Sequence, residues 1–188
     1  DLVVFVNGIP LVFFELKAHH RDLFHAYDDN LKDYKNTIPH LFNTNAFIIL
    51  SNGLDKSDDS GTKIGTVTSP FKFFHEWKRI EENEEGIVSL DTTIRGTCDK
   101  TRLIDIFENF LIFNDDGGDV VKIMAKNHQF IGVNKTLNNA ENFEELKGKL
   151  GVFWHTQGSG KSYSMVFLSQ KIHRKFSGSY TVWSGNLN

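Results

Sequence analysis

The chain has 188 residues, a formal net charge of −3 and 39% hydrophobic residues, which is the composition of a globular protein with ample material for a core. The negative charge excludes a broadly basic protein that coats nucleic acid, but local basic grooves remain compatible with it. The single cysteine, Cys98, excludes an internal disulfide framework and a cysteine-rich zinc site, and it fits a reducing, cytoplasmic setting. The sequence contains no run of about 18 apolar residues, so it predicts no membrane span.

The elements predicted along the chain alternate between strands and helices. Apolar runs at 1–6 and 11–16 flank Asn7-Gly8, a dipeptide typical of tight hairpin turns. Further apolar runs predict strands at 46–50, 62–68, 150–154 and 180–183. Apolar residues at spacings of three and four predict helices over 21–36, 71–79, 101–113, 120–140 and 161–176. The break at 115–118 (DDGG) is the candidate boundary between two domains, 1–113 and 114–188.

Two carboxylates and a lysine are expected on one face of the first hairpin. Glu15 and Lys17 are two residues apart on the second strand, and the tight turn brings Asp1 of the first strand near them. The apolar run before Glu15 predicts that this face is partly buried, and buried charges need partners. Mg²⁺, which is typically bound by one or two carboxylates, would be such a partner. An ordinary cross-strand ion pair explains the same short pattern equally well, so the spacing alone leaves both readings open.

The segment DLVVFVNGIPLVFFELK and the helix after it resemble the nuclease domain of the restriction (R) subunit of type I restriction-modification enzymes. That resemblance implies a PD-(D/E)xK nuclease core, in which Asp1 and Glu15 are the metal-binding acids and Lys17 is the catalytic lysine. The family often carries a Q-x-x-x-Y element on the following helix. Tyr34 matches its tyrosine, whereas Asn30 stands in place of its glutamine.

A second chemistry follows the predicted strand at 150–154. The turn and helix that come next contain GSGKS, which is the context of a phosphate-binding loop. Gly158 and Gly160 allow backbone N–H groups to face a phosphate, Lys161 is expected to reach the β and γ phosphates, and the Ser162 hydroxyl to bind the Mg²⁺ of the nucleotide. The strict pattern opens with glycine, and here His155 holds that position. The predicted nucleotide site comprises Thr156, Gln157, Gly158, Ser159, Gly160, Lys161 and Ser162.

WHTQGSGKS also resembles motif I of the same R subunits, which are superfamily 2 motors. In that class an amide side chain upstream reads adenine, and Gln129 is similarly placed. The resemblance therefore implies an α/β chain, with a restriction-endonuclease-like core followed by the start of a RecA-like P-loop motor domain.

The implied function is that of a type I restriction enzyme, which couples ATP-driven translocation of double-stranded DNA to Mg²⁺-dependent cleavage. The implied partners are the modification and specificity subunits, and S-adenosylmethionine is bound through them. Two alternatives stay open: another nuclease–helicase fusion of the type III restriction or repair kind, and a non-catalytic assembly module with a degenerate nuclease hairpin. The sequence reads as a fragment, and we expect it to be inactive alone, because the later motor motifs needed for hydrolysis are not among its 188 residues.

Overall fold

The computed structural model describes residues 1–53 and 61–176. The chain divides into two compact units, Asp1–Asn127 and His128–Asn188. The strand predicted at 180–183 lies outside the described residues. None of the helices in the described ranges is both long and apolar enough to cross a membrane.

A four-stranded sheet in the order β1-β2-β3-β4 forms the centre of the first unit. Its strands are β1 (Leu2–Val6), β2 (Ile9–Leu16), β3 (Phe47–Ser51) and β4 (Thr62–Gly65). The predicted hairpin is confirmed: β1 and β2 are antiparallel, and Asn7 and Gly8 both have positive φ values, 50° and 80°, as a two-residue turn of this kind requires. Strand β3 runs parallel to β2 and antiparallel to β4, so β2 is an interior strand.

One helical segment follows β2 and covers one face of the sheet. It consists of α1 (Leu23–His25), a π-helical turn (Ala26–Leu31) and α2 (Lys32–Thr37), which together confirm the helix predicted over 21–36. Phe13 of β2 packs there against Leu23, Leu31 and Phe42. Because side chains alternate along a strand, Glu15 and Lys17 lie on the same face as Phe13, under the helices.

The helix predicted over 71–79 is wrong. Only Phe71–Phe73 form a short 3₁₀ turn, and His75 is extended and exchanges two backbone hydrogen bonds with Ile64 of β4. The extended backbone lets Trp77 become fully buried against Gly96, where an added Cβ would lie 2.3 Å from the indole Nε1. Tertiary packing of the aromatic side chains therefore overrides the helical spacing.

The rest of the first unit contains two helices and a hairpin. These are α3 (Leu90–Thr97), α4 (Lys100–Asn109), β5 (Leu111–Asp116) and β6 (Asp119–Met124). Helix α4 ends before the predicted limit at 113, and the helix predicted over 120–140 begins instead as strand β6. Residues 115–118 form the turn of this hairpin, and the compact units divide later, after Asn127.

The second unit contains α5 (Asn127–Glu141, which begins at the last residue of the first unit) and α6 (Lys161–Lys175). Helix α6 confirms the helix predicted over 161–176. The strand predicted at 150–154 is wrong, since residues 150–156 form no ladder with any described strand. The Phe153 ring nevertheless packs closely on α5, where a Cβ added to Gly132 would lie 1.9 Å from its Cε2.

Candidate functional sites

The register of the first hairpin places Asp1 opposite Glu15. Leu2 pairs with Phe14 and Val3 with Phe13, so continuing the same register by one residue aligns Asp1 with Glu15. Directly opposed residues of antiparallel strands have their side chains on one face. The predicted neighbourhood of Asp1, Glu15 and Lys17 therefore follows from the backbone pairing of β1 and β2.

Glu15 is the least expected residue of the core. It is fully buried on the interior strand β2, and its Oε1 lies 2.9 Å from the Lys17 ammonium, whose side chain is 19% exposed. Its Oε2 is also buried and accepts no hydrogen bond from the described residues. A buried carboxylate oxygen without a partner is costly, so this position has the environment of a ligand-binding group.

The donor set at this site fits Mg²⁺ better than a transition metal. Within residues 1–53 and 61–176, no three or more His, Cys, Asp or Glu side chains cluster as metal ligands. Mg²⁺ typically needs only one or two carboxylates, because water and phosphate oxygens complete its shell. Asp1, which is exposed, and Glu15, which is buried, would supply these two carboxylates.

Tyr34 joins the same site from α2. Its hydroxyl donates a hydrogen bond of 2.5 Å to Asp1 Oδ2, and its ring makes an edge contact with Phe13 at 5.5 Å between centroids. Asn30 is half-buried in the preceding π-helical turn, a type of distortion that is frequent at functional sites. The structure thus links Tyr34 directly to one predicted metal ligand, whereas the role of Asn30 stays a prediction.

His19 and His20 follow the carboxylate–lysine strand and are both exposed. The basic residues at the end of α6 are partly engaged within the second unit. Lys171 donates to Asn134 Oδ1 at 2.5 Å, and Lys175 pairs with Glu141. These contacts support a structural role for this end of the helix.

The predicted phosphate loop leads directly into α6. Gly158 and Gly160 have φ values of 79° and 88°, a region that side-chain-bearing residues rarely adopt, and Gly160 is the N-cap of the helix. The first N–H groups of a helix have no partners within it, and together with the helix dipole they favour an anion. Ser162 is exposed in the first turn, and the Ser159 hydroxyl is buried without a partner among the described residues.

Lys161 and Gln129 both contact the loop backbone. The Lys161 ammonium donates to the carbonyls of His155 at 2.8 Å and Thr156 at 3.1 Å, so it closes the loop on itself. Gln129 is 3% exposed, and its Nε2 donates to the Gly160 carbonyl at 2.7 Å. The structure therefore brings Gln129 to the predicted nucleotide site, while its contact with adenine stays a prediction.

Two histidines at this loop were not assigned a role from sequence. The His155 ring lies between those of His128 and Phe153, at centroid distances of 4.6 and 4.7 Å. Burial, and secondarily the charge of Lys161, lowers the pKa of His155. His128 also approaches the Ser159 carbonyl, and its position next to Gln129 in sequence was the available signal.

Comparison with known protein families identifies two regions of the chain. Residues 1–73 match the family described as the type I restriction enzyme R protein N terminus. Residues 128–183 match the SWI2/SNF2 ATPase family, and this match begins at the residue where the second compact unit begins. The two matches contain the carboxylate–lysine site and the phosphate loop, respectively.

Individual relatives match along most of the chain. The type I restriction enzyme HindI endonuclease subunit of Haemophilus influenzae is 34% identical over 183 residues, which cover 92% of this chain and 17% of the relative. A protein of Methanocaldococcus jannaschii, provisionally named as the type I restriction enzyme MjaIXP endonuclease subunit, is 31% identical over 91% of this chain and 18% of its own length. The chain thus spans less than a fifth of these relatives.

Proposed function

Because this chain belongs to the R proteins of type I restriction enzymes, we propose that its first unit is a Mg²⁺-dependent DNA nuclease and its second unit the ATP-binding start of a DNA translocase. The observation that supports the nuclease best is the fully buried Glu15, with one carboxylate oxygen beside Lys17 and the other without a hydrogen-bond partner in the described part of the chain. A solvated ion pair would not require such burial.

In the proposed nuclease, Asp1 and Glu15 hold the metal. When bound, Mg²⁺ would offset the negative charge of the scissile phosphate and lower the pKa of a bound water. The Lys17 ammonium is held on Glu15 Oε1, where it would orient the attacking water or stabilise negative charge that develops on the phosphate. The Tyr34 hydroxyl, by donating to Asp1, would fix the orientation of that more exposed carboxylate.

In the proposed motor, residues 156–162 bind the phosphates of ATP. Lys161 would exchange its bonds to the His155 and Thr156 carbonyls for bonds to phosphate oxygens, and Ser162 would bind the nucleotide's Mg²⁺. Double-stranded DNA is the proposed substrate of the whole protein, and the modification and specificity subunits, with S-adenosylmethionine, are the proposed partners. We further propose a cytoplasmic location and a PD-(D/E)xK core followed by a RecA-like fold.

The chain itself provides a matched control for the nuclease. Glu76 and Lys78 repeat the E-x-K spacing as an ion pair of 2.7 Å, but their side chains are 36% and 53% exposed. In a full-length R protein that carries this sequence, assembled with its partner subunits, Glu15→Gln and Lys17→Met should abolish Mg²⁺-dependent plasmid cleavage. Glu76→Gln and Lys78→Met should retain it.

Cleavage that survives Glu15→Gln would refute the nuclease site. The ATPase rate of the same complexes tests the motor separately: Lys161→Ala should abolish it, whereas Glu15→Gln should leave it unchanged. Retained ATP turnover in Lys161→Ala would refute the phosphate loop without affecting the nuclease assignment.

A further inference from the structure

Two consecutive side chains at the start of α5 bind two consecutive carbonyls of the phosphate loop. His128 Nε2 lies 3.2 Å from the Ser159 carbonyl, and Gln129 Nε2 donates to the Gly160 carbonyl at 2.7 Å. A carbonyl oxygen can only accept a hydrogen bond, so the His128 ring must carry its proton on Nε2. All four residues belong to the second compact unit.

These two hydrogen bonds determine the direction of the neighbouring N–H groups. The described peptide bonds are all trans, and in a planar trans peptide the C=O and N–H point in opposite directions. When His128 holds the Ser159 carbonyl, the N–H of Gly160 must point the other way, away from the His128 ring. The Gly160 carbonyl accepts from Gln129 and also from the Ser164 N–H of α6 at 3.2 Å, and it orients the N–H of Lys161 in the same manner.

We propose that His128 is a positioning residue for nucleotide phosphates, which acts by fixing the Ser159–Gly160 peptide. This inference rests on the proposed nucleotide site and adds a residue to it. His155 supports the role, because its ring packs on that of His128 while its carbonyl accepts from Lys161. His128 thus contacts both ends of the loop: its ring packs on His155 at the start, and its Nε2 binds the Ser159 carbonyl near the end.

This role predicts how binding responds to the base and the phosphates of a ligand. A residue that orients phosphate-binding N–H groups affects every ligand with a diphosphate by the same factor, whatever its base. Loss of one such hydrogen bond weakens binding by roughly fivefold to tenfold. Gln129, if it also reads adenine, should in contrast change the ratio of ADP to GDP affinity.

The test is calorimetric titration of the full-length R protein with ADP, GDP and inorganic pyrophosphate. His128→Phe keeps a ring against His155 but lacks the donor, so it should weaken all three ligands about equally. His128→Gln restores an amide donor and should bind as wild type does. His128→Met, of similar length to glutamine and without a donor, should bind as weakly as His128→Phe. Both the Gln and the Met variants lack the ring, so a difference in affinity between them reports the hydrogen bond alone, even if loss of the ring lowers stability.

Equal binding by the Gln and Met variants would overturn the inference, and so would a loss confined to ADP. Lys161→Ala is titrated alongside to distinguish failure of the proposed nucleotide site from failure of the proposed role of His128. If it binds pyrophosphate as wild type does, the phosphate loop and this inference both fail. If it loses binding while the His128 variants keep theirs, only the inference about His128 fails.

Discussion

The stability of the first unit should depend strongly on Lys17, because its ammonium is the charged partner of a buried carboxylate. Lys17→Met removes the charge but keeps the length of the side chain, and it leaves Glu15 with both oxygens unpaired inside the sheet. Removal of one partner of a buried ion pair costs about 3–5 kcal/mol. Since the Lys17 side chain is 19% exposed, water offsets part of that cost, and we expect about 2–4 kcal/mol.

The assay is urea denaturation followed by far-ultraviolet circular dichroism at pH 7.5, with Lys78→Met as the matched control. The side chains of the Lys78–Glu76 pair are 53% and 36% exposed, so water screens the pair and its loss should cost no more than about 1 kcal/mol. The double variant Glu15→Gln/Lys17→Met should recover part of the loss, because it removes the unpaired charge itself. If Lys17→Met lowers the free energy of unfolding no more than Lys78→Met does, the Lys17 ammonium does not stabilise the buried Glu15 carboxylate. The same conclusion follows if the double variant is less stable than Lys17→Met.

Three further predictions concern packing and pH. Gly96→Ala places a Cβ 2.3 Å from the buried indole of Trp77, so an overpacking cost of about 3 kcal/mol should exceed the gain of about 1 kcal/mol in helix propensity. Urea denaturation should therefore show a net loss of stability, and that loss should be smaller when Gly96→Ala is made in a Trp77→Phe background. Gly132→Ala should displace the Phe153 ring, which packs on His155 at the start of the phosphate loop, and should therefore weaken ADP binding in a titration. Unchanged affinity for ADP would show that the contact between Phe153 and Gly132 does not contribute to the nucleotide site. Because the pKa of His155 is lowered on folding, neutral His155 contributes stability above about pH 6.5 that is lost as the pH falls. The melting temperature should therefore decrease more between pH 8 and pH 5.5 for wild type than for His155→Phe. Equal decreases in melting temperature would contradict this prediction.

The sequence by itself was sufficient for features whose cause is local. Asn7-Gly8 specifies a turn with two positive φ values, and that turn sets the pairing of β1 with β2. The two-residue spacing of Glu15 and Lys17 then places both on one face of a strand. Gly158 and Gly160 likewise favour the backbone of the phosphate loop, because glycine adopts left-handed conformations without the steric cost that a Cβ imposes.

The tertiary structure decided whatever depends on partners distant in sequence. Two E-x-K pairs have the same spacing, and only the fold shows that Glu15 is fully buried on an interior strand while the Glu76 side chain is 36% exposed. The aromatic residues around Trp77 have helical spacing, yet pairing of His75 with Ile64 makes this segment extended. Residues 30 or more apart meet at both sites, as in the bonds from Tyr34 to Asp1 and from His128 to Ser159, and local sequence pattern carries no information about such contacts.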